Sequence, residues 1–180
     1  MAAEKLLMIL AGDAMKASAR VRGYWIAEQL ERQGHAVTIR VPEGRQDYIA
    51  LAREAARHDA VFLQKRYGRY DIMLARWCRM AGTPLFFDID DAPSRALDSA
   101  VMARAARMMR LSRGVLAGSR ALVDLAVPQQ PATYLLPSGV RLGNYSLKDW
   151  NGGTDGPICL GWIGNGAHYA DDLIEILAAP

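Results

Sequence analysis

Three aspartates within four positions, Asp88, Asp90 and Asp91, directly continue the apolar run Leu85-Phe86-Phe87. Like charges this close cannot all stay ionised without compensation, so the cluster demands cations, protons or a metal. Carboxylates so placed could bind hydroxyl groups, take a proton, or ligate a divalent ion through oxygen. The competing expectation is that one aspartate caps the next segment and the others are solvated. The run Ser18-Ala19-Arg20-Val21-Arg22-Gly23 puts two arginines into a first helical turn. There the helix dipole favours anions, and each cation costs about 0.3–1 kcal/mol. The two arginines lie two residues apart and point to different sides, so one is expected to enter a cleft and bind an anion. Pairing with Glu28 or Asp13 is the alternative.

The elements that must position these groups follow from hydrophobic period. Leu6 to Leu10 reads as a buried strand, Val21 to Leu30 as a helix ended by Gly34, and Val37 to Val41 as a second strand. Tyr48 to Arg57 is helical, and Ala60 to Leu63 is a third strand. Met73, Trp77 and Met80 mark one face of a helix that stops at Gly82-Thr83-Pro84, before a fourth strand at Leu85 to Phe87. Asp98 to Ser112 is a helix, Val115 to Ala117 a strand, and Ser119 the N-cap of a short helix to Ala126. Thr133 to Leu136 is the last strand of this series. Alternating helices and apolar strands require an α/β fold: a doubly wound, mostly parallel Rossmann-like sheet with helices on both faces.

Such a sheet presents ligands to the residues beyond its strand carboxyl ends. Here those residues are Gly12-Asp13 and the loop to Ser18, then Gln64-Lys65-Arg66, the Asp88–Asp91 segment, Gly118-Ser119 and Ser138-Gly139. Polarity of loops alone accounts for much of this, but not for acids that extend a Phe-Phe strand. Residues 1–140 therefore form one domain. Residues 141–157, rich in Gly and poor in aliphatics, read as a linker. Residues 158–180 restart the pattern with a strand at Ile158 to Ile163, a Gly164-Asn165-Gly166 loop and a helix from His168 to Ala178. This is expected to be the truncated opening of a second domain.

Composition narrows the function classes. Hydrophobic residues are 51% and charged residues 23%, the balance of a globular chain. A net charge of +3 with no Lys/Arg run gives no nucleic-acid stripe. Arginine outnumbers lysine 18 to 4. Cys78 and Cys159 fit no metal or redox spacing and read as buried free thiols, which with the absence of a leader pattern predicts a cytoplasmic protein. Arg104, Arg107 and Arg110 recur at i+3 near Met102, Met108 and Met109. They could touch the inner face of a membrane, with a solvated helix face as the plainer expectation. His35, His58 and His168 form no metal or triad spacing. Gly12 stands alone, so neither G-x-G-x-x-G nor a P-loop is present, which argues against a nicotinamide dehydrogenase and an ATPase.

In this order, Ser18-Ala19-Arg20-Val21-Arg22, Gly34-His35-Ala36-Val37, Asp88-Ile89-Asp90-Asp91, Ser119, Leu136-Pro137-Ser138-Gly139-Val140 and Gly161-Trp162-Ile163-Gly164-Asn165 resemble glycosyltransferase family 4 (group 1) enzymes of GT-B fold. The resemblance implies an acceptor-side domain facing a donor-side domain, with sugar moved from a nucleotide-sugar co-substrate to a saccharide or lipid-linked acceptor. Transfer would be retaining and need no essential metal or other cofactor. It implies acceptor-side binding by Ser18, Arg20, Lys65, Arg66, Ser119, Ser138 and Gly139, and catalytic parts for Asp88, Asp90 and Asp91. Gly164, Asn165 and Gly166 would approach the donor diphosphate at a helix N-terminus. The residues that stabilise the departing diphosphate would lie past Pro180, so this piece alone should be inactive. The sequence departs from the family in its single Gly12, in aspartate where many members have histidine after strand four, and in Ser138-Gly139-Val140-Arg141 at the domain boundary. Two alternatives remain: a GT-A transferase using Asp88 and Asp90 as a metal clamp, and a non-catalytic Rossmann-like binding module.

Overall fold

The computed structural model describes residues 2–91, 99–144, 146 and 174–175. The chain divides into two units, Met1–Val140 and Arg141–Pro180. In the second, Leu142–Asn144 form one 3₁₀ turn and residues 174–175 are helical. The expected strand at Ile158 to Ile163, the Gly164-Asn165-Gly166 loop, His168 and Cys159 lie outside the described residues.

In the first unit the strands are β1 (Lys5–Ile9), β2 (Ala36–Arg40), β3 (Ala60–Gln64), β4 (Leu85–Ile89), β5 (Gly114–Ala117) and β6 (Thr133–Leu135). They form a parallel sheet in the order β2-β1-β3-β4-β5-β6. The helices are α1 (Ala17–Ala19), which runs through a π-helical turn (Arg20–Tyr24) into α2 (Trp25–Arg32), then α3 (Arg45–Ala55), α4 (Arg69–Ala81), α5 (Ser99–Leu111) and α6 (Arg120–Ala126). This is the α/β, doubly wound, Rossmann-like architecture that the alternating pattern requires.

Strand periodicity sorts the core into two layers. Leu7, Ile9, Val61, Leu63, Leu85, Phe87 and Ile89 point to one face, where α3, α4, α5 and α6 deliver Leu51, Ile72, Met108, Leu122 and their neighbours. Met8 and Leu10 point to the other, against Ala19 and Ala27 of α1 and α2. Gly23 lets that helix approach closely, since a Cβ there would lie 2.5 Å from Leu10 Cδ1. The chain winds from β1 out to β2 and then back past β1 to β3. The topological switch point, where such sheets open a crevice, is therefore at the carboxyl ends of β1 and β3.

Two expectations change. Strand β4 does not stop at Phe87 but continues through Asp88 and Ile89, because Asp88 pairs in register with Gln64 and Leu116. On α4 the buried face is Ile72, Leu74, Ala75 and Cys78, whereas Met73, Trp77 and Met80 are exposed. The sheet selected the other side of that helix.

Cys78 is a free thiol with no solvent exposure, and burial pushes its pKa up from 9.0 to about 11, a backbone hydrogen bond only partly opposing this. Stability gained by keeping it neutral is complete below the ordinary thiol value and is lost as pH rises towards about 11. Iodoacetamide should therefore modify Cys78 only after unfolding, as read on its peptide by mass spectrometry. The Cys78→Ala variant should lack that part of the alkaline decline in stability.

Candidate functional site

The site begins with a buried ion pair. Arg22 lies in the π-helical turn with 1% of its surface exposed, and Asp88 in β4 has none exposed. Arg22 Nε donates to both Asp88 oxygens, at 3.2 and 3.0 Å, and its Nη2 also donates to Oδ1. The other guanidinium nitrogen, Nη1, donates to the Leu136 carbonyl at 2.7 Å and to Ser138 Oγ at 3.3 Å. One side chain thus joins the first helix, the middle of the sheet and the segment leaving β6. Burial disfavours the charged guanidinium, but the bonds to Asp88 and its charge outweigh this and hold Arg22 above its ordinary value. Burial raises the Asp88 pKa, with Arg22 pulling against it.

Arg22 shares a buried side of the helix with Ala19, Gly23 and Ala27, so it faces the sheet, and Arg20 does not. Arg20 Nη1 instead donates to the carbonyls of Ala14 and Met15 at 3.1 and 3.3 Å, closing the loop after β1. Gln64, at the end of β3, is fully buried. It accepts from Ala11 N–H at 3.3 Å and donates to the Ser18 carbonyl at 2.8 Å. The sequence places Gln64 at the rim but assigns it no part there; its signal is an amide closing an otherwise apolar strand.

Lys65 follows with φ of 50°, left-handed for a residue with a Cβ. Its own N–H donates to the Asp88 carbonyl at 2.9 Å, so the strand ends its ladder there and turns sharply. That turn sends Nζ to Asp90 Oδ1, 2.8 Å away, and to Asp91 Oδ2. Burial would lower the Lys65 pKa, but Asp90 and Asp91 together hold it raised. Asp90 Oδ1 is buried, and the Lys65 ammonium 2.8 Å away compensates its charge. Gly118 packs directly over this segment, where a Cβ would come within 2.9 Å of Asp90 Cα.

Arg66 sits in a second network. It donates from Nε to Asp71 Oδ1 at 3.0 Å, and from Nη2 to Tyr48 OH at 2.9 Å and the Pro42 carbonyl at 3.1 Å. Tyr48 OH also donates to Asp71, whose Oδ2 accepts from Gly68 N–H at 2.8 Å to cap α4. Ser119 accepts from Leu122 N–H at 3.3 Å as the N-cap of α6. Ser138 and Gly139 are exposed just after β6.

At the switch point a cleft of about 350 Å³ opens between Ala11, Lys16, Lys65, Arg66, Asp71 and Arg104. Its walls are polar and predominantly cationic, with Lys16 Nζ donating to the Ala11 carbonyl at 3.0 Å. The structure therefore brings Arg22, Lys65, Asp88, Asp90, Asp91 and Ser138 to one rim of the sheet. It ties Arg66 to Tyr48, Pro42 and Asp71 and uses Ser119 to cap α6, and Gly164, Asn165 and Gly166 lie outside the described residues. Among the described residues no three His, Cys, Asp or Glu side chains converge as metal ligands. Asp88 gives both oxygens to Arg22 and Asp90 faces Lys65, which is not the arrangement of a D-x-D metal clamp.

No protein-family model matches the chain. No curated protein matches it either. Among solved structures it is similar to Anabaena Alr3699/HepE in complex with UDP, with a TM-score of 0.52 and 13% identity over 78% of this chain and 45% of that one. The complex of the same protein with UDP and glucose gives 0.55 and 14% over 81% and 47%. The likeness is one of fold, and this chain spans less than half the length of those structures.

Two substitutions test the site's construction. Arg22→Met should destabilise the chain by about 3–5 kcal/mol, because it strands a buried carboxylate. Arg22→Met combined with Asp88→Leu should recover most of that loss, as read in a urea-unfolding double-mutant cycle. Gly118→Ala should cost about 1–3 kcal/mol in the same assay, since the atom it meets is backbone and cannot swing away.

Proposed function

We propose that this chain is the N-terminal, acceptor-side part of a GT-B glycosyltransferase, which moves a sugar from a nucleotide-sugar donor to a saccharide or lipid-linked acceptor. The observation that carries the proposal is the single rim on which Lys65, Asp90, Asp91 and the Arg22–Asp88 pair meet beside the switch-point cleft. A fold shared with a protein solved with UDP and glucose supports it, as does the ordered set of motifs that resembles family 4.

In this scheme the acceptor lies in the cleft and offers a hydroxyl to Asp90, the carboxylate whose Oδ2 receives no hydrogen bond from a described residue. Asp90 accepts that hydrogen bond and fixes the direction of attack, while Lys65 Nζ, 2.8 Å from its Oδ1, holds the carboxylate in place. Asp88 has no surface to offer a substrate. It is a positioning residue that holds Arg22, and through it the Leu136–Ser138 segment that leads towards the donor side. The bond from the sugar's anomeric carbon to the diphosphate breaks, the diphosphate leaves with the electron pair, and the acceptor oxygen forms the new bond as its proton passes to Asp90. Retention of configuration, the donor contacts of Gly164, Asn165 and Gly166, and a cytoplasmic site of action belong to the same proposal.

The full-length protein, incubated with a panel of UDP-, GDP- and ADP-sugars, should release nucleoside diphosphate in an acceptor-dependent way. Asp90→Asn should lower kcat/KM by about tenfold or more with unchanged thermal unfolding. No turnover across the panel by the full-length protein would instead favour a non-catalytic binding module.

A further inference from the structure

The helix face marked by Met73, Trp77 and Met80 has no part in the site described above. Large apolar side chains stand in water there: Met73 is 54% exposed, Trp77 45%, Met80 76%, and Ile49 on the neighbouring α3 55%. Met73, Arg76, Trp77 and Met80 follow i, i+3, i+4, i+7 spacing, so they share one side of α4. The indole is held across the seam between the two helices, because Trp77 Nε1 donates to the Ala52 carbonyl of α3 at 2.8 Å. Beside it runs an open groove of about 340 Å³, floored by Tyr48, Ala52, Tyr70 and Leu74.

The charges around this apolar strip have one sign. Arg45, Arg53, Arg69, Arg76 and Arg79 are exposed on α3 and α4, and none forms an ion pair with a described residue. The acids of the two helices are committed elsewhere. Asp47 caps α3 by accepting from Glu43 and Gly44 N–H, Glu54 pairs with Arg40, and Asp71 pairs with Arg66. Rigid tryptophan, methionines and unpaired arginines on one amphipathic face match the boundary between acyl chains and anionic headgroups. The arginines of α5 lack this second component. Met108 and Met109 are turned into the core, and no large apolar residue of that helix is exposed. Among the described residues no helix is long and apolar enough to cross a membrane, so contact through α3 and α4 would lie in the plane of the surface.

We infer that the α3–α4 face docks the protein on an anionic lipid bilayer, with Trp77, Met73, Met80 and Ile49 in the acyl boundary and the flanking arginines among acidic headgroups. This surface is independent of sugar transfer and can be tested without a substrate. The full-length protein should float with phosphatidylcholine vesicles containing phosphatidylglycerol, and not with phosphatidylcholine alone. High salt should weaken flotation. Arg76→Glu should weaken it by about fivefold or more, since each basic residue near such a surface is worth about that factor. Met73→Gln with Met80→Gln, at side chains exposed enough to leave folding intact, should weaken it as well, and Arg107→Glu should leave it unchanged. The inference is overturned by flotation that survives Arg76→Glu and the methionine changes, by loss with Arg107→Glu alone, or by no flotation at all. A dimer in sedimentation velocity that the methionine changes abolish would overturn it too, by making the face a contact between copies.

Discussion

A guanidinium and a carboxylate that are both withdrawn from water are tolerable only while each satisfies the other, and Arg22 and Asp88 stand in that relation. Their partnership constrains much of the rim. Asp88 must sit inside β4 rather than in the loop after it, which carries the strand two residues further and delivers Asp90 and Asp91 at the edge of the sheet. Arg22 must face the sheet, on the side of the helix that also buries Ala19, Gly23 and Ala27. The third arm of the guanidinium then reaches the Leu136 carbonyl and Ser138, tying the chain where it leaves the sheet. A neutral or shorter side chain at position 22 could not reach all three places at once.

Around that pair the groups divide into those that build and those that remain available. Gln64 joins the loop after β1 to the end of β3, and Arg66, Tyr48 and Asp71 lock the loop before α4; these saturate one another. Lys65 is different. Its left-handed backbone brings the residue to the wall of the open crevice, and its ammonium holds Asp90 and Asp91 beside it. Strain and incompletely satisfied polar groups at a sheet's carboxyl rim are the usual marks of a place where ligands bind. The same distinction between satisfied and unsatisfied groups singles out the α3–α4 face, where the acids are used for caps and ion pairs and the arginines are not.

Much of the fold was legible in the residues. Every strand and helix of the first unit falls within a few positions of its periodic pattern, because alternation and the 3.6-residue repeat are local properties of the chain. The aspartate cluster was legible as a group needing cations, protons or a metal. Its partners were not, since Arg22 and Lys65 come to it only through the packing of a helix on the sheet and the register of neighbouring strands. The stripe of Met73, Trp77 and Met80 could be seen as one face of a helix, but so could Ile72, Ala75 and Cys78. Only the sheet decided which of the two would be buried.

The sequence by itself therefore determined the element types, their order, the parallel sheet they imply and the rim at which polar groups must gather. Tertiary structure decided which side chains meet there. Arg22 finds Asp88 across 66 positions and Leu136 across 114, and no local rule specifies contacts at that range. They are fixed by strand register, by the close approach of Gly23 to Leu10, and by the cost of leaving a buried charge alone.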